Sequence, residues 1–252
     1  MTQSDSRKRF ELIDTIRGIA IINMVAYHFL WDLVFICGFN IKWYNSSFGY
    51  IWQQFICWTF IFISGFSYNL GKHKLKRGIL ALLGGGIVTI VTLIFTPSSK
   101  IVFGILTLLG SSIIITFLLE KVISKIPSIL GAIFSFTIFL FTKNCSSGYL
   151  GFKNILTIRI PEVIYRNNLT AYLGFPNPSF NSSDYFPMIP WLFLFFTGFF
   201  FFRVLKQKNL LEKYFLRGKT PLISFLGKNS LIIYLIHQPI LYGISLLIML
   251  FN

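Results

Sequence analysis

Long apolar segments recur along the whole chain and alternate with short polar ones. A helix of about 20 apolar residues spans the hydrocarbon core of a bilayer, which is about 30 Å thick. Segments of roughly this length cover residues 12–37, 48–70, 78–95, 101–119, 127–142, 185–203 and 221–250. The pattern therefore predicts an all-α membrane protein, a bundle of about seven transmembrane helices.

The composition supports this prediction. Of the 252 residues, 54% are hydrophobic and 12% are charged, and the mean hydropathy is +0.69. Soluble domains have about twice this share of charged residues. The first apolar run is longer than the core of a signal peptide and contains charged residues, which favours a retained membrane span over a cleaved leader. Residues 1–252 are therefore expected to form a single membrane domain.

The net charge of +15 comes from basic residues that lie between the predicted spans. They cluster at residues 7–9, 72–77, 121–125 and 203–219. If the seven spans alternate in direction, these clusters share one side, and loops rich in Lys and Arg face the cytoplasm. The N-terminus is therefore expected to be cytoplasmic. Membrane lipid, rather than nucleic acid, is the expected partner of this charge.

The longest polar stretch, residues 143–184, is predicted to be an extracytoplasmic loop that is long enough to cover a pocket. Its four basic residues are Lys143, Lys153, Arg159 and Arg166, against the trend of the other loops. Glycine and proline argue against a regular span here, although residues 155–164 are expected to form a short helix or a re-entrant segment. The three cysteines show no metal-binding or disulfide spacing, so no metal is expected.

The first apolar segment contains Asp14, Arg17, His28 and Asp32. At 100° per residue these side chains fall within an arc of about 60° on one helix face. A charged side chain at membrane depth costs at least about 2.5 kcal/mol and usually marks a functional site. Asp14 and Arg17 are spaced to form an ion pair, which would either orient the helix or hold an anionic part of a ligand. His28 lies about 16 Å deeper, where Asp32, one turn later, is expected to orient it as a base.

The last apolar segment carries a second polar group. Ser230, Tyr234 and His237 share one helix face, and Gln238 and Pro239 follow. Proline cannot donate a backbone hydrogen bond, so a kink with a free carbonyl is expected beside His237 and Gln238. These side chains either line a cavity or hold the helices together by hydrogen bonds.

Two shorter signals complete the set. Ser64 and Gly65 end the second segment with small residues that permit close helix packing. Asp184 precedes the sixth segment and is expected to cap that helix or contact a substrate. Trp191 fits an aromatic belt at the membrane interface, or a substrate contact.

These residues together resemble a known pattern. The chain is similar to the small bacterial members of the heparan-alpha-glucosaminide N-acetyltransferase catalytic-domain family and, more distantly, to the acyltransferase-3 family. The resemblance rests on the order and spacing of Asp14, Arg17, Gly18, His28, Ser64, Gly65, Pro187, Pro190, Trp191, Ser230, Leu231, Tyr234, His237, Gln238 and Pro239.

The resemblance implies a membrane enzyme that moves an acetyl group from cytoplasmic acetyl-CoA to the amine or hydroxyl of a saccharide or glycolipid on the other side. In acyltransferase-3-like enzymes the histidine that matches His28 is the proposed catalytic one. The chain departs from its bacterial relatives at Thr107, where they carry a histidine. If that departure marks lost activity, the alternative is a non-catalytic envelope partner protein.

The residues leave several mechanisms open. His28 and Asp32 are the leading catalytic pair, with His237 binding the acceptor or stabilising the oxyanion. Alternatively, one histidine is transiently acetylated.

The main rival is a small transporter or flippase for a lipid-linked saccharide or anion, in which His28 relays protons. A bacterial plasma membrane is the expected location, and a homo-oligomer is left open.

Overall fold

The computed structural model describes residues 10–153, 155–215 and 220–251. The basic cluster at 7–9 and part of the cluster at 203–219 lie outside this set. The helices are α1 (Glu11–Phe35), α2 (Ser47–Tyr68), α3 (Lys74–Phe95), α4 (Ile105–Ile123), α5 (Ser128–Thr142), α6 (Met188–Gln207), α7 (Leu210–Phe215), α8 (Pro221–Lys228) and α9 (Ser230–Phe251). Two short strands, β1 (Tyr149–Phe152) and β2 (Leu156–Arg159), form the one sheet among the described residues.

The prediction of an all-α membrane protein is confirmed. Among the described residues, six helical segments are long and apolar enough to cross a membrane, and they correspond to α1, α3, α4, α5 with the turn that follows it, α6 and α9. Helix α2 has the length of a span, with 22 residues, but is not one of the six. Gln53 and Gln54 lower its apolar character. A count of seven spans therefore remains a prediction.

The last predicted span, residues 221–250, was expected to be continuous, but it is divided between α8 and α9 at Asn229. The side chain of Asn229 donates a hydrogen bond to the Phe225 carbonyl at 2.9 Å, and its backbone N–H bonds the carbonyls of Phe225 and Leu226. Asparagine competes with helical hydrogen bonds in this way, which ends α8. Helix α9 then continues through Pro239 without a break.

The expectation of a helix or re-entrant segment at residues 155–164 is wrong. Strand β2 occupies its first part and a turn of 3₁₀-helix, Glu162–Tyr165, follows. Strands β1 and β2 pair in antiparallel register, with Tyr149 opposite Arg159 and Phe152 opposite Leu156. The long loop therefore contains a β-hairpin.

The chain divides into two compact units, which are described separately. The first contains residues 1–63 and 205–252, and the second contains residues 64–204. In the first, α1 packs on α8 and α9. A methyl group at Gly18 would lie 2.0 Å from the Ile223 carbonyl oxygen, and one at Gly227 would lie 1.8 Å from that of Asp14. The backbones of α1 and α8 are therefore in direct contact.

The second unit uses the same kind of packing. Helices α3 and α4 meet through Gly78, Gly85 and Gly110. A methyl group at Gly65 would lie 1.9 Å from the carbonyl oxygen of Phe195 in α6. The packing role predicted for the small residues at the end of the second segment is thereby confirmed. In membranes, small residues of this kind let helix backbones approach closely.

The neighbours Gly85 and Gly86 in α3 give a matched test of this packing. A methyl group at Gly85 would lie 2.6 Å from Thr107 Oγ1 and 2.9 Å from the Thr107 backbone nitrogen, whereas one at Gly86 meets nothing within 4 Å. We expect Gly85→Ala to lower the free energy of unfolding in detergent by about 1–3 kcal/mol. We expect Gly86→Ala to cause no loss. Equal melting temperatures for the two variants would contradict the close packing of α3 on α4.

Candidate active site

The two histidines that the sequence singled out lie side by side in the first unit. His28 in α1 and His237 in α9 have ring centroids 5.0 Å apart, with an angle of 63° between the ring planes. His237 is buried, with 8% of its surface exposed, and His28 is half-buried. The two imidazole rings therefore lie next to each other between α1 and α9.

A backbone contact fixes the orientation of His237. Its Nδ1 lies 2.6 Å from the carbonyl oxygen of Tyr234. Because a carbonyl oxygen only accepts hydrogen bonds, Nδ1 carries the proton and Nε2 carries the lone pair in the neutral imidazole. Nε2 is buried and has no hydrogen-bond partner among the described residues. The structure thus holds a basic nitrogen beside the His28 ring.

Asp32 does not orient His28, contrary to expectation. It is fully buried, and its Oδ1 accepts a hydrogen bond from Gln238 Nε2 at 2.8 Å. Helix periodicity placed His28 and Asp32 on one face, but the short aspartate side chain reaches across to α9 instead. The bond links two residues 206 positions apart in the chain and joins the two helices that carry the histidines.

Several polar atoms around this bond are buried without a hydrogen-bond partner among the described residues. They are Asp32 Oδ2, His237 Nε2, Gln238 Oε1 and Ser245 Oγ. Buried polar groups in proteins are normally satisfied, and the Ser245 hydroxyl lies beside the Asp32 carboxylate and can donate to it. That leaves His237 Nε2 and Gln238 Oε1 as acceptors without a partner among the described residues. The arrangement therefore suits a molecule that donates hydrogen bonds.

Ser245 was missed by the sequence analysis. It is fully buried in α9 and lies beside the Asp32 carboxylate, and its carbonyl oxygen faces Cys37 Sγ at 3.5 Å. The position follows Gln238 by two helical turns, which places both on one face. That spacing could have identified Ser245 as part of the polar face of α9, but a single serine within a long apolar segment does not stand out.

Tyr44 is a second residue that the sequence did not single out. It lies between α1 and α2, is buried with 4% exposed, and its hydroxyl donates to the carbonyl oxygen of Tyr27 at 3.3 Å. Burial raises the pKa of Tyr44 well above its usual range, so the phenol keeps its proton. The ring also packs against that of Tyr27 at 4.9 Å. These contacts hold the connection between α1 and α2 against the turn that carries His28.

The ion pair predicted at the start of α1 is present. Arg17 Nη1 lies 3.2 Å from Asp14 Oδ1 and 3.5 Å from the carbonyl oxygen of Gly227 in α8. Asp14 is buried, with 7% exposed. Beside them, the hydroxyls of Thr15 and Thr220 are 3.3 Å apart. The pair therefore contributes to the contact between α1 and α8.

The remaining predicted residues of α9 have different surroundings. The ring of Tyr234 lies 5.5 Å from that of His237 and packs against an apolar cluster formed by Ile21, Met24 and Ile56. Ser230 is the first residue of α9 and is half-buried. Tyr234 thus supports His237 through both its ring and its carbonyl oxygen.

Asp184 and Trp191 belong to the second unit. Asp184 Oδ2 accepts a hydrogen bond from the backbone nitrogen of Ile105 at 3.5 Å, at the first residue of α4. It therefore contributes to capping α4, and its role at the start of the sixth span stays a prediction. Trp191 is buried with 8% exposed and contacts the rings of Phe139 and Phe186. It packs in the core of the second unit rather than on its surface, which favours a structural role over a place in an interface belt.

Comparison with known families decides the class of the protein. The family described as heparan-alpha-glucosaminide N-acetyltransferase, catalytic, matches residues 9–239 of the chain. The chain belongs to this family. No curated protein and no solved structure gives a significant match.

The heparan-alpha-glucosaminide N-acetyltransferase catalytic family is a family of membrane acetyltransferases that use acetyl-CoA in general. The matched region contains all the predicted site residues, from Asp14 to Gln238, and ends before Ser245. This agrees with the apolar helices of the structure, and the protein is an integral membrane protein of this family.

The bond between Asp32 and Gln238 can be measured by removing one partner. We expect Gln238→Leu to lower the free energy of unfolding in detergent by about 1–3 kcal/mol, because it leaves a buried carboxylate oxygen unsatisfied. The double variant with Asp32→Leu should recover most of that loss, since both polar partners are then absent.

A matched control is Gln53→Leu in α2, since Gln53 is half-buried and makes no side-chain hydrogen bond among the described residues. This variant is expected to keep the stability of the parent protein. Additive losses from Asp32→Leu and Gln238→Leu would show that the two side chains do not interact.

Proposed function

We propose that the protein transfers an acetyl group from cytoplasmic acetyl-CoA to an amine or hydroxyl of a saccharide or glycolipid on the extracytoplasmic side. The family supports the acetyl transfer and the donor. The observation that carries the proposal is the histidine pair, in which the His28 ring lies beside a second ring whose Nε2 has no hydrogen-bond partner among the described residues.

His28 is proposed as the general base because its ring lies beside that of His237 and because it matches the histidine proposed as catalytic in acyltransferase-3-like enzymes. It would take a proton from the acceptor amine or hydroxyl as that atom attacks the thioester carbonyl carbon. The carbon–sulfur bond then breaks, and the leaving CoA thiolate receives the proton from the imidazolium. The products are the acetylated acceptor and CoA, with no net change in the enzyme.

His237 is proposed to take the supporting role first expected of Asp32. Its Nδ1 proton is held by the Tyr234 carbonyl oxygen at 2.6 Å, so Nε2 is left to accept a hydrogen bond from the His28 ring after a small rotation. Such a bond would orient His28 and share the positive charge that it gains. The same free nitrogen is also where an acetyl group would be carried in a two-step reaction.

Asp32 and Gln238 are proposed as positioning residues. Their bond sets the register of α1 against α9, and the free Gln238 Oε1 is available to accept a hydrogen bond from the acceptor. Ser230 and Tyr234 are proposed to line the acceptor side of α9. For Asp14 and Arg17, the contact with α8 favours the orienting role over a ligand contact.

Asp184 and Trp191, the two predicted site residues of the second unit, both make contacts within the fold. Asp184 caps α4, and Trp191 is enclosed by aromatic rings. We therefore propose a structural role for both in place of the substrate contact.

Replacement of the base tests the roles directly. We expect His28→Asn to lower kcat for acetyl transfer by about 10²- to 10⁴-fold, the usual contribution of a general base. The matched control is His73→Asn, the same replacement at the third histidine, which is exposed at the start of α3. Activity is measured as CoA release with amino sugars and neutral sugars as acceptors. A fully active His28→Asn variant would remove His28 from the chemistry.

The donor is tested by ligand binding. Acetyl-CoA at 100 times its dissociation constant is expected to stabilise the detergent-purified protein by about 2.7 kcal/mol. Desulfo-CoA should bind without turnover, and the His28→Asn variant should still be stabilised, since its donor contacts are intact. Absence of a shift with any CoA species would overturn the donor assignment and favour the transporter.

A further inference from the structure

The hairpin in the long loop has one entirely apolar face. Leu150 pairs with Ile158, and Phe152 pairs with Leu156, so these four side chains lie on the same side of the two strands. Phe152 is 43% exposed, Leu156 52% and Ile158 49%. Ile155, in the turn between the strands, is 86% exposed. Leu150 is half-buried, and the outer part of the face, formed by the other three side chains, is uncovered among the described residues of the second unit.

The opposite face has a different character. It carries Tyr149 with Arg159 and Gly151 with Thr157, and Gly151 is buried while Thr157 and Arg159 are exposed. The hairpin is therefore amphipathic across its two faces. An isolated two-stranded hairpin is at best marginally stable in water, so its apolar face is expected to pack against something.

The place where the hairpin is attached indicates what covers it. The candidate membrane span that contains α5 runs from Ser128 to Ser147 and has 20 residues, enough to cross a hydrocarbon core of about 30 Å. Strand β1 begins two residues later, at Tyr149. Strand β1 packs against α5, and Asn144 Nδ2 donates to the Gly151 carbonyl oxygen at 3.3 Å. The hairpin is therefore held directly after the end of a membrane span, at the membrane surface.

The charge and the backbone of the hairpin indicate how deep it lies in the bilayer. Residues 143–166 contain four basic side chains and one acidic one, Glu162, and anionic headgroups attract such a segment. The two strands have open edges, which lipid hydrocarbon cannot satisfy. The hairpin thus suits the headgroup layer, with its backbone edges in the polar region and its apolar face toward the acyl chains.

We propose that the β1–β2 hairpin docks on the lipid surface at the end of α5, with Leu150, Phe152, Leu156 and Ile158 facing the acyl chains. This surface anchors the long loop to the bilayer. It also accounts for the basic residues of a loop whose charge runs against that of the other loops. The proposal rests on the second unit alone and is independent of the acetyl-transfer chemistry.

Spin labels on neighbouring residues of β2 test the docking. Ile158→Cys places a label on the apolar face, and Thr157→Cys is the matched control on the other face of the same strand. The labelled parent protein is the blank, since Cys57 and Cys145 are buried and Cys37 is half-buried. Each protein is placed in vesicles of phosphatidylcholine and phosphatidylglycerol, and collisions with oxygen and with a water-soluble nickel chelate are measured.

Docking predicts that the label at residue 158 meets oxygen more often than nickel and lies about 5–10 Å below the headgroup boundary. The label at residue 157 should show the reverse preference. Equal access of nickel to both labels would overturn the proposal, because the apolar face would then be in water.

Two further results would also overturn it. Exclusion of both reagents at residue 158, with spectral broadening that disappears on dilution with unlabelled protein, would show that a second copy covers the face. Exclusion without broadening would show that another part of the chain does. Both positions are exposed, so folding should be unaffected, and Leu156→Cys replaces Ile158→Cys if that variant fails to fold.

Discussion

The hydrogen bond between Asp32 and Gln238 is the contact on which the candidate site depends. A carboxyl group that is fully buried among membrane helices is expensive unless another polar group satisfies it. The amide of Gln238 does so at 2.8 Å. His28 precedes Asp32 by one helical turn, and His237 is the direct neighbour of Gln238. This one bond therefore fixes the position of α9 along α1, and with it the distance between the two imidazole rings. A shift of α9 along α1 would break the hydrogen bond and separate the rings.

Two kinds of contact replace the hydrophobic effect in holding this protein together. Lipid tails are as apolar as leucine, so apolar side chains alone do not drive membrane helices together. In the first unit the direct backbone contact of α1 with α8 at Gly18 and Gly227 is combined with the ion pair of Asp14 and Arg17. In the second unit, Gly85 and Gly65 bring backbones close in the same way. Rigid backbone contacts of this kind suit a site that needs fixed distances.

The sequence predicted which faces of the helices are polar, because helix period alone determines that. It placed His28 and Asp32 on one face of α1, and His237 on a polar face of α9. It did not predict that Asp32 would accept a hydrogen bond from Gln238, because that contact depends on how α1 and α9 approach each other. The same limit explains Asp184, whose carboxylate accepts a hydrogen bond from the start of α4. Asn229 is a different case, because the hydrogen bonds that divide the last predicted span are local ones to Phe225 and Leu226.

In the long loop, a prediction of secondary structure from hydropathy was wrong for a different reason. Apolar residues at 155, 156 and 158 suggested a helix or a re-entrant segment, because in a membrane protein an apolar run usually means a span. In β2 the apolar residues at 156 and 158 alternate with polar ones at 157 and 159, the period of a strand. A four-residue strand is too short for that period to stand out beside 20-residue apolar helices. The apolar face can be recognised only once β1 is paired with β2, because β1 adds Leu150 and Phe152 to the same face. The position of the hairpin directly after the span that contains α5 then places that face at the membrane surface, where one side of a hairpin can be apolar and the other polar.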